Sequence, residues 1–436
     1  MALPTVASQV VILLYNLADT WFIGRTNDPY MVGASSLALT VYLALVALSN
    51  VFGVGGGSLM VRLTGEKRAE DARSVAGYSV AMSAIAALVF AALVLVGMKP
   101  LLLLLGASDN TLLYAKQYVF TTTVLGAVPT VLSMSMPQLL RNAGYSREAG
   151  IGVGLGSLLN IALDPLFMFV LLPRGSEVLG AGIATMLSNC CSLAYFLIVY
   201  RRLRSKTVLV IPRKLEKLDA GHIRSLYSVG IPAAVAIFLF DLVTIVINRT
   251  TASYGDIPLA AMGIVLKLER IPINTGLGVC LGMVPLIAYN FGAGNYQRMR
   301  RFVSLARIAI VVFSCVCAAA FWLFARPIVA AFIADEATVA QGVSFLRARC
   351  FSLPFMMIGY HIVNYMNAVD KGKASFLLAL VRHVVLIIPL LLVMNALWGL
   401  NGLIWAQLVA DAANTVVAMA VFRRIDGTIR ARLQPQ

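Results

Sequence analysis

Apolar residues along this chain neither alternate nor recur as a single helical stripe. They run on in long blocks, separated by short polar segments. A bilayer core of roughly 30 Å takes about 20 apolar residues per helix, whereas barrel strands alternate over roughly ten. The blocks predict helices near 2–24, 33–61, 75–97, 112–139, 151–172, 178–200, 226–250, 258–288, 302–324, 339–366, 374–396 and 400–422. The expected fold is an all-α integral membrane protein with twelve transmembrane helices. Composition agrees: 60% of residues are hydrophobic and only 12% charged, against about 25% charged in soluble proteins. The chain enters its first span at once, without a charged leader or a small-residue cleavage site, so no cleavable signal peptide is expected.

The net charge of +16 would suit a nucleic-acid partner if it formed one patch. It does not. Of 35 Lys and Arg, 24 fall in segments 62–73, 141–150, 201–225, 298–307 and 371–373 and in the tail from 423. The alternate loops hold five, and six lie within spans. This is the positive-inside pattern. It places both termini in the cytoplasm, excludes nucleic acid as the partner, and puts membrane lipid, including anionic headgroups, beside the basic loops.

The longest basic segment, 201–225, divides the chain nearly in half, and the halves repeat. PLLLLLGASDNTLLYA (100–115) aligns with PIVAAFIADEATVAQG (327–342), Leu3-Pro4 with Ile231-Pro232, RNAGYSREA (141–149) with MNAVDKGKA (366–374), and VYRRL (199–203) with VFRRI (421–425). Six spans per half, an even number, start both halves on the same side. The expectation is a six-helix N-lobe over 1–200, a cytoplasmic linker over 201–225 and a six-helix C-lobe over 226–436. A pseudo-two-fold along the membrane normal would relate the lobes, with a substrate path between them, as in secondary transporters.

A carboxylate at a helix centre costs about 2.5–3.5 kcal/mol on insertion scales, so intramembrane acids are functional candidates. NIALDPLF carries two polar residues four apart, Asn160 and Asp164, on one helix face. Pro165 has no N–H, which frees the carbonyl one turn earlier. In the first span, YNLADTWF sets Tyr15 one turn before Asp19. Counted from the span ends, Asp19, Asp164 and Thr185 lie at similar depth, roughly 8–12 Å from the outer surface. Two carboxylates in one dry site do not both ionise readily unless a cation joins them, so the pair is expected to titrate as a unit. Hard oxygen ligands suit a proton or a small alkali cation. In the second half Asp241, Lys267, Glu269, Arg270, Arg347, Arg349, Arg382, His383 and Asp411 mix both signs. Most are expected to neutralise one another as ion pairs. Asp241, Glu269 and Asp411 stand as substrate-cleft candidates.

The six cysteines lack metal-ligand spacing, and no HExxH or GxSxG accompanies the three histidines. An enzyme is not expected, nor a cofactor, nor any metal beyond a possible Na+ at Asp19, Asn160 and Asp164. GVGGG (53–57) lies inside a span with no strand before it and no Lys after it, so it reads as a close-packing surface.

LYNLADTWFIGR in the first span, the Gly-rich second span running into RLTGEKRAEDA, LLRNAGYSREA, NIALDPLF and PLIAYNFGAGNYQRMRR occur in order across nearly the whole chain. In this the chain resembles the multidrug and toxic compound extrusion (MATE) transporters, nearest to their prokaryotic DinF/MepA-like branch. The resemblance implies a monomeric antiporter of a prokaryotic inner membrane. It would export amphipathic, mostly cationic organic compounds in exchange for H+ or Na+. Carried over by position, Asp19, Asn160, Asp164, Thr185 and Tyr15 match the branch's cation site. Pro4 matches a proline implied to bend the first helix, and Asp241 resembles an acidic position of other branches. The competing reading is a flippase for lipids or lipid-linked oligosaccharides, of the same broad superfamily, which the intramembrane Arg and Lys of the second half would suit.

Overall fold

The computed structural model describes residues 2–26, 28–211, 218–333 and 335–433, and among these no strand occurs. The first half holds α1 (Ala2–Gly24), α2 (Pro29–Gly65), α3 (Ala69–Leu104), α4 (Asp109–Val119), α5 (Ala127–Asn142), α6 (Ser146–Pro165) and α7 (Glu177–Leu203). The second half follows with α8 (Ala220–Ala252), α9 (Asp256–Gly292), α10 (Tyr296–Leu323), α11 (Ala325–Ala330), α12 (Glu336–Arg349), α13 (Leu353–Ala368), α14 (Gly372–Leu380) and α15 (Ile388–Leu433). Among the described residues eight continuous helical runs are long and apolar enough to cross a bilayer, and nine if α4 and α5 count as one span bent by 57°. Three further spans complete the expected twelve. One is α1, whose apolar stretch Pro4–Tyr15 is short. Another is α12 with α13, joined by a tight turn at Cys350–Ser352. The last comes from the run through α14 and α15, which breaks at Gly399 (φ 58°, ψ −141°), a conformation that suits glycine. That break falls between the spans predicted at 374–396 and 400–422.

Packing divides the chain into two compact units, Leu3–Ala234 and Val235–Gln436. The break lies inside α8, nine residues past the start at 226 that charge and hydropathy suggest. Close backbone contact explains it. A Cβ on Gly230 would run into the Val51 carbonyl, and one on Gly55 would meet the Leu226 carbonyl and the Gly230 backbone. The Arg62 guanidinium donates to Ser225 Oγ at 2.8 Å. The GVGGG run is therefore a helix-packing surface, with Gly53 and Gly56 also hard against α5 and α3 through Ser135 and Ser79. Both units expose large apolar side chains, Leu104 at 84% in the first and Val416 at 72% in the second, as expected of helices that face lipid.

The second unit is cross-braced by charge. Arg349, the last residue of α12, grips Glu269 of α9 through two bonds, Nε to Oε1 at 2.7 Å and Nη2 to Oε2 at 2.8 Å, with both side chains buried. Arg382, in the π-helical turn Val381–Ile387, donates to Asp411 Oδ1 at 2.8 Å, and Gln407 donates to Oδ2 at 2.7 Å. His383 Nδ1 lies 2.8 Å from the Ala379 carbonyl and Nε2 lies 3.3 Å from Arg382 Nη1. The consistent assignment is an imidazole that donates from Nδ1 and accepts at Nε2, hence neutral. At the basic end, Asp426 accepts from Tyr296 at 2.7 Å and Tyr365 at 3.0 Å, tying α15 to α10 and α13.

Two outcomes follow for stability in detergent. Gly230→Val should cost about 1–3 kcal/mol by overpacking, read as a lower thermal midpoint; an unchanged midpoint would contradict the α2–α8 contact. Arg349→Met should cost about 3–5 kcal/mol by stranding the Glu269 carboxylate, and pairing it with Glu269→Met should recover most of the loss. Equal stability of the single variant and the parent would remove the ion pair from the account.

Candidate functional site

Five helices of the first unit carry polar groups to one buried place. The approach of α6 to α7 is made by small residues. A Cβ on Gly156 would sit 3.0 Å from Ser192 Cβ, and one on Gly180 would sit 2.8 Å from the Phe167 carbonyl oxygen. Ser192 Oγ donates to the Gly152 carbonyl at 2.9 Å, fixing the register. Asn160 and Asp164 of α6 thereby face Thr185 of α7, and all three are 2% exposed or less. Pro165 ends the regular helix: the Leu166 N–H reaches back to the Leu163 carbonyl, and Leu166–Leu171 continue as a π-helical segment. A proline that removes one donor and a wider turn behind it are the expected response to a broken ladder.

The Asn160 amide bridges the two helices: Nδ2 donates to Asp164 Oδ2 at 2.9 Å while Oδ1 accepts from the Thr185 backbone N–H at 3.2 Å. Both amide groups are thereby used, the nitrogen on the carboxylate and the oxygen on α7.

Asp19 of α1 lies within electrostatic reach of Asp164. One oxygen of each carboxylate, Oδ1 in both, is buried with no hydrogen-bond partner. Tyr15, one turn before Asp19, interacts electrostatically with Asp19, Asp164, Tyr42 and Tyr118. Tyr118 of α4 also bonds the Thr185 side chain. Behind them Asn189, one turn after Thr185, donates to Thr130 Oγ1 at 3.1 Å and to the Tyr42 hydroxyl at 3.5 Å, and accepts from Ser133 Oγ at 3.2 Å. The structure thus brings Asp19, Asn160, Asp164, Thr185 and Tyr15 together, and it adds Tyr42, Tyr118 and Asn189. Only Asn189 had a readable signal, its four-residue spacing from Thr185. Pro4 lies in the first turn of α1 as described, its carbonyl against α6: a Cβ on Gly150 would come within 2.9 Å of it.

The second unit gathers its candidates differently. Glu269 and Asp411 are each bonded to a buried arginine, Arg349 and Arg382. Asp241 is half-buried on α8, within electrostatic reach of Arg270, whose guanidinium lies 5.0 Å from the Phe240 ring centroid. A cavity of about 50 Å³ opens among Phe240, Glu269, Arg270, Arg349, Arg382 and Gln407. Among the described residues no three His, Cys, Asp or Glu side chains are placed to hold a metal ion.

Known proteins match both the sequence and this architecture. The MatE family profile covers residues 4–166 and 232–393. The matched stretches start 228 residues apart, the offset that aligns Pro4 with Pro232. The multidrug export protein MepA of Staphylococcus aureus (strain NCTC 8325 / PS 47) is 30% identical over 420 residues, 96% of this chain and 91% of MepA. A crystal structure of a MATE protein in a straight conformation superposes with a TM-score of 0.92 at 22% identity, covering 99% of this chain and 95% of that one. Another, in a bent conformation, superposes with a TM-score of 0.90 at the same identity and coverage. Both show the same all-helical fold. With its family profile matched over both halves and a relative of this identity aligned end to end, the chain belongs to the MatE family.

Proposed function

We propose that this protein is a multi-pass transporter of a bacterial plasma membrane. It exports amphipathic, mostly cationic organic compounds in exchange for a coupling cation, working by alternating access as a monomer with both termini in the cytoplasm. Its membership of the MatE family and its alignment with a multidrug export protein support the export reading. One observation carries the coupling reading. Two carboxylates, Asp19 and Asp164, lie within electrostatic reach inside a membrane lobe, and each keeps one buried oxygen unpartnered. An isolated ionised carboxylate is expensive there, and a proton or small cation removes that cost.

The Asn160 amide supports a proton as the ion. Its oxygen is taken by the Thr185 N–H and its nitrogen donates to Asp164 Oδ2, so Asn160 offers no oxygen to a Na+ cage. Neutralising Asp164 weakens this charge-assisted bond, and Asp19, with Tyr15 beside it, carries the change in charge to α1. A proton bound here disfavours a cationic passenger, so loading and release alternate. Each pH unit supplies about 1.4 kcal/mol per proton. One proton exchanged for one monovalent cation moves no net charge, so the membrane potential adds about 2.3 kcal/mol per 100 mV only if both carboxylates load.

The flippase reading needs free intramembrane cations for a pyrophosphate. The two most deeply buried ones in the second unit, Arg349 and Arg382, are already bonded to carboxylates, and Arg270 lies within electrostatic reach of Asp241, which weighs against it.

Ethidium movement in proteoliposomes under separately imposed pH and Na+ gradients tests the proposal. The pH gradient should drive transport by the parent protein, and Asp164→Asn should fall to the protein-free background. Transport driven by Na+ alone would transfer coupling to that ion. No dye movement under either gradient, with translocation of lipid-linked sugars instead, would establish the flippase. Asn160→Leu tests the amide bond. It removes the donor that stabilises an ionised Asp164, at a cost of about 1 kcal/mol. Ionisation is then harder, so half-maximal transport should move to higher pH by roughly 0.7 unit. An unmoved profile would remove the Asn160–Asp164 bond from the account.

A further inference from the structure

A second feature lies on the surface of the second unit, at the end of its helices away from the basic segments. α10 starts at the basic end with Arg298, Arg300 and Arg301 and finishes at Trp322-Leu323. From Arg301 to Trp322 is roughly 31 Å at 1.5 Å per residue, one hydrocarbon thickness. Asn401, two residues past the break at Gly399, lies at the same end. Between them a groove of about 400 Å³ is lined by Trp322, Val343, Arg347, Phe351, Asn401 and Trp405.

The groove pairs a flat aromatic wall with one cation. Phe351 and Trp405 stack with ring centroids 6.4 Å apart and planes 11° off parallel, and both are exposed. Arg347 is exposed too. Its Nε donates to the Trp322 carbonyl at 3.2 Å, and its guanidinium lies 5.3 Å from the Trp322 ring centroid. That carbonyl is among the last of α10, which have no partner within their helix. The bond thus locks the arginine in place through Nε, and among the described residues Nη1 and Nη2 make no hydrogen bond. Among the described residues no carboxylate forms an ion pair with Arg347. A pre-oriented guanidinium with two free nitrogens matches the oxygens of a phosphate, and Trp marks the level of lipid headgroups.

We propose that this groove is a binding site for one phospholipid of the leaflet opposite the basic loops. The phosphate diester pairs with Nη1 and Nη2 of Arg347, and an acyl chain lies along Phe351 and Trp405. The ligand class is set by charge: the groove offers a cation and no anion to the phosphate, and apolar rings to the chain. The site is separate from Asp19 and Asp164, which belong to the other unit.

The test is native mass spectrometry of the purified full-length protein titrated with phosphatidylglycerol or with diacylglycerol of the same chains. The parent should retain one phosphatidylglycerol. Arg347→Gln should weaken that binding roughly tenfold, the loss of one charge-assisted pair, whereas Arg347→Lys should keep part of it. Diacylglycerol, which lacks the phosphate, should not be retained. Equal retention by Arg347→Gln, or equal retention of diacylglycerol, would overturn the proposal. Because Arg347 also holds the Trp322 carbonyl, a second measurement uses the parent alone. Phosphatidylglycerol with brominated chains should quench tryptophan emission at lower concentration than brominated diacylglycerol, and identical quenching curves would refute the site even if the Gln variant failed to fold.

Discussion

The structure is organised around the cost of keeping a carboxylate where water does not reach. Asp164 has no exposed surface, and one of its oxygens has no hydrogen-bond partner. In the second unit the same cost is met by permanent partners: Glu269 has Arg349, and Asp411 has Arg382 and Gln407. In the first unit it is not. Asp164 has the Asn160 amide, and the carboxylate within its electrostatic reach, Asp19, carries the same sign. The two units thus treat buried acids oppositely. A permanently paired acid braces a bundle, and an acid left short of partners has reason to take up and release a cation.

The helices yield where these groups sit. Three π-helical segments occur among the described residues, and each adjoins buried polar side chains: Phe120–Leu125 with Thr121–Thr123, Leu166–Leu171 behind Asp164, and Val381–Ile387 holding Arg382 and His383. A wider turn re-aims side chains without ending the helix, and such turns concentrate at functional sites. At Asp164 the cause is explicit in Pro165. At Arg382 a proline acts too: Pro389 lacks the N–H that would bond the Val385 carbonyl inside the turn, and Arg382 within it is bonded to Asp411.

Much of this was legible in the sequence because hydropathy, charge and proline act locally. The apolar blocks located the spans, including the break at Gly399, and the basic loops marked one end of the helices. Asn160, Asp164 and Pro165 declared themselves by spacing and by cost. Depth counting placed Asp19 and Thr185 at their level, where the structure brings them together. What stayed hidden depends on neighbours distant in the chain. Arg349 and Glu269 are 80 residues apart, and mixed charges predicted pairing but not the partners. Tyr42 and Tyr118 carry no charge, so nothing in a helical sequence separates them from packing aromatics. The unit boundary inside α8 is set by backbone contacts at Gly55 and Gly230, which hydropathy does not register.

The central claim is that Asp19 and Asp164 hold an exchangeable proton that a cationic passenger displaces. The direct measurement is the count of protons released when ethidium binds the purified protein in weakly buffered detergent, read by a pH-sensitive dye. The account predicts proton release from the parent, and none from the Asp164→Asn variant even where that variant still binds ethidium. Ethidium binding to the parent without proton release at every pH from 5 to 8 would contradict it.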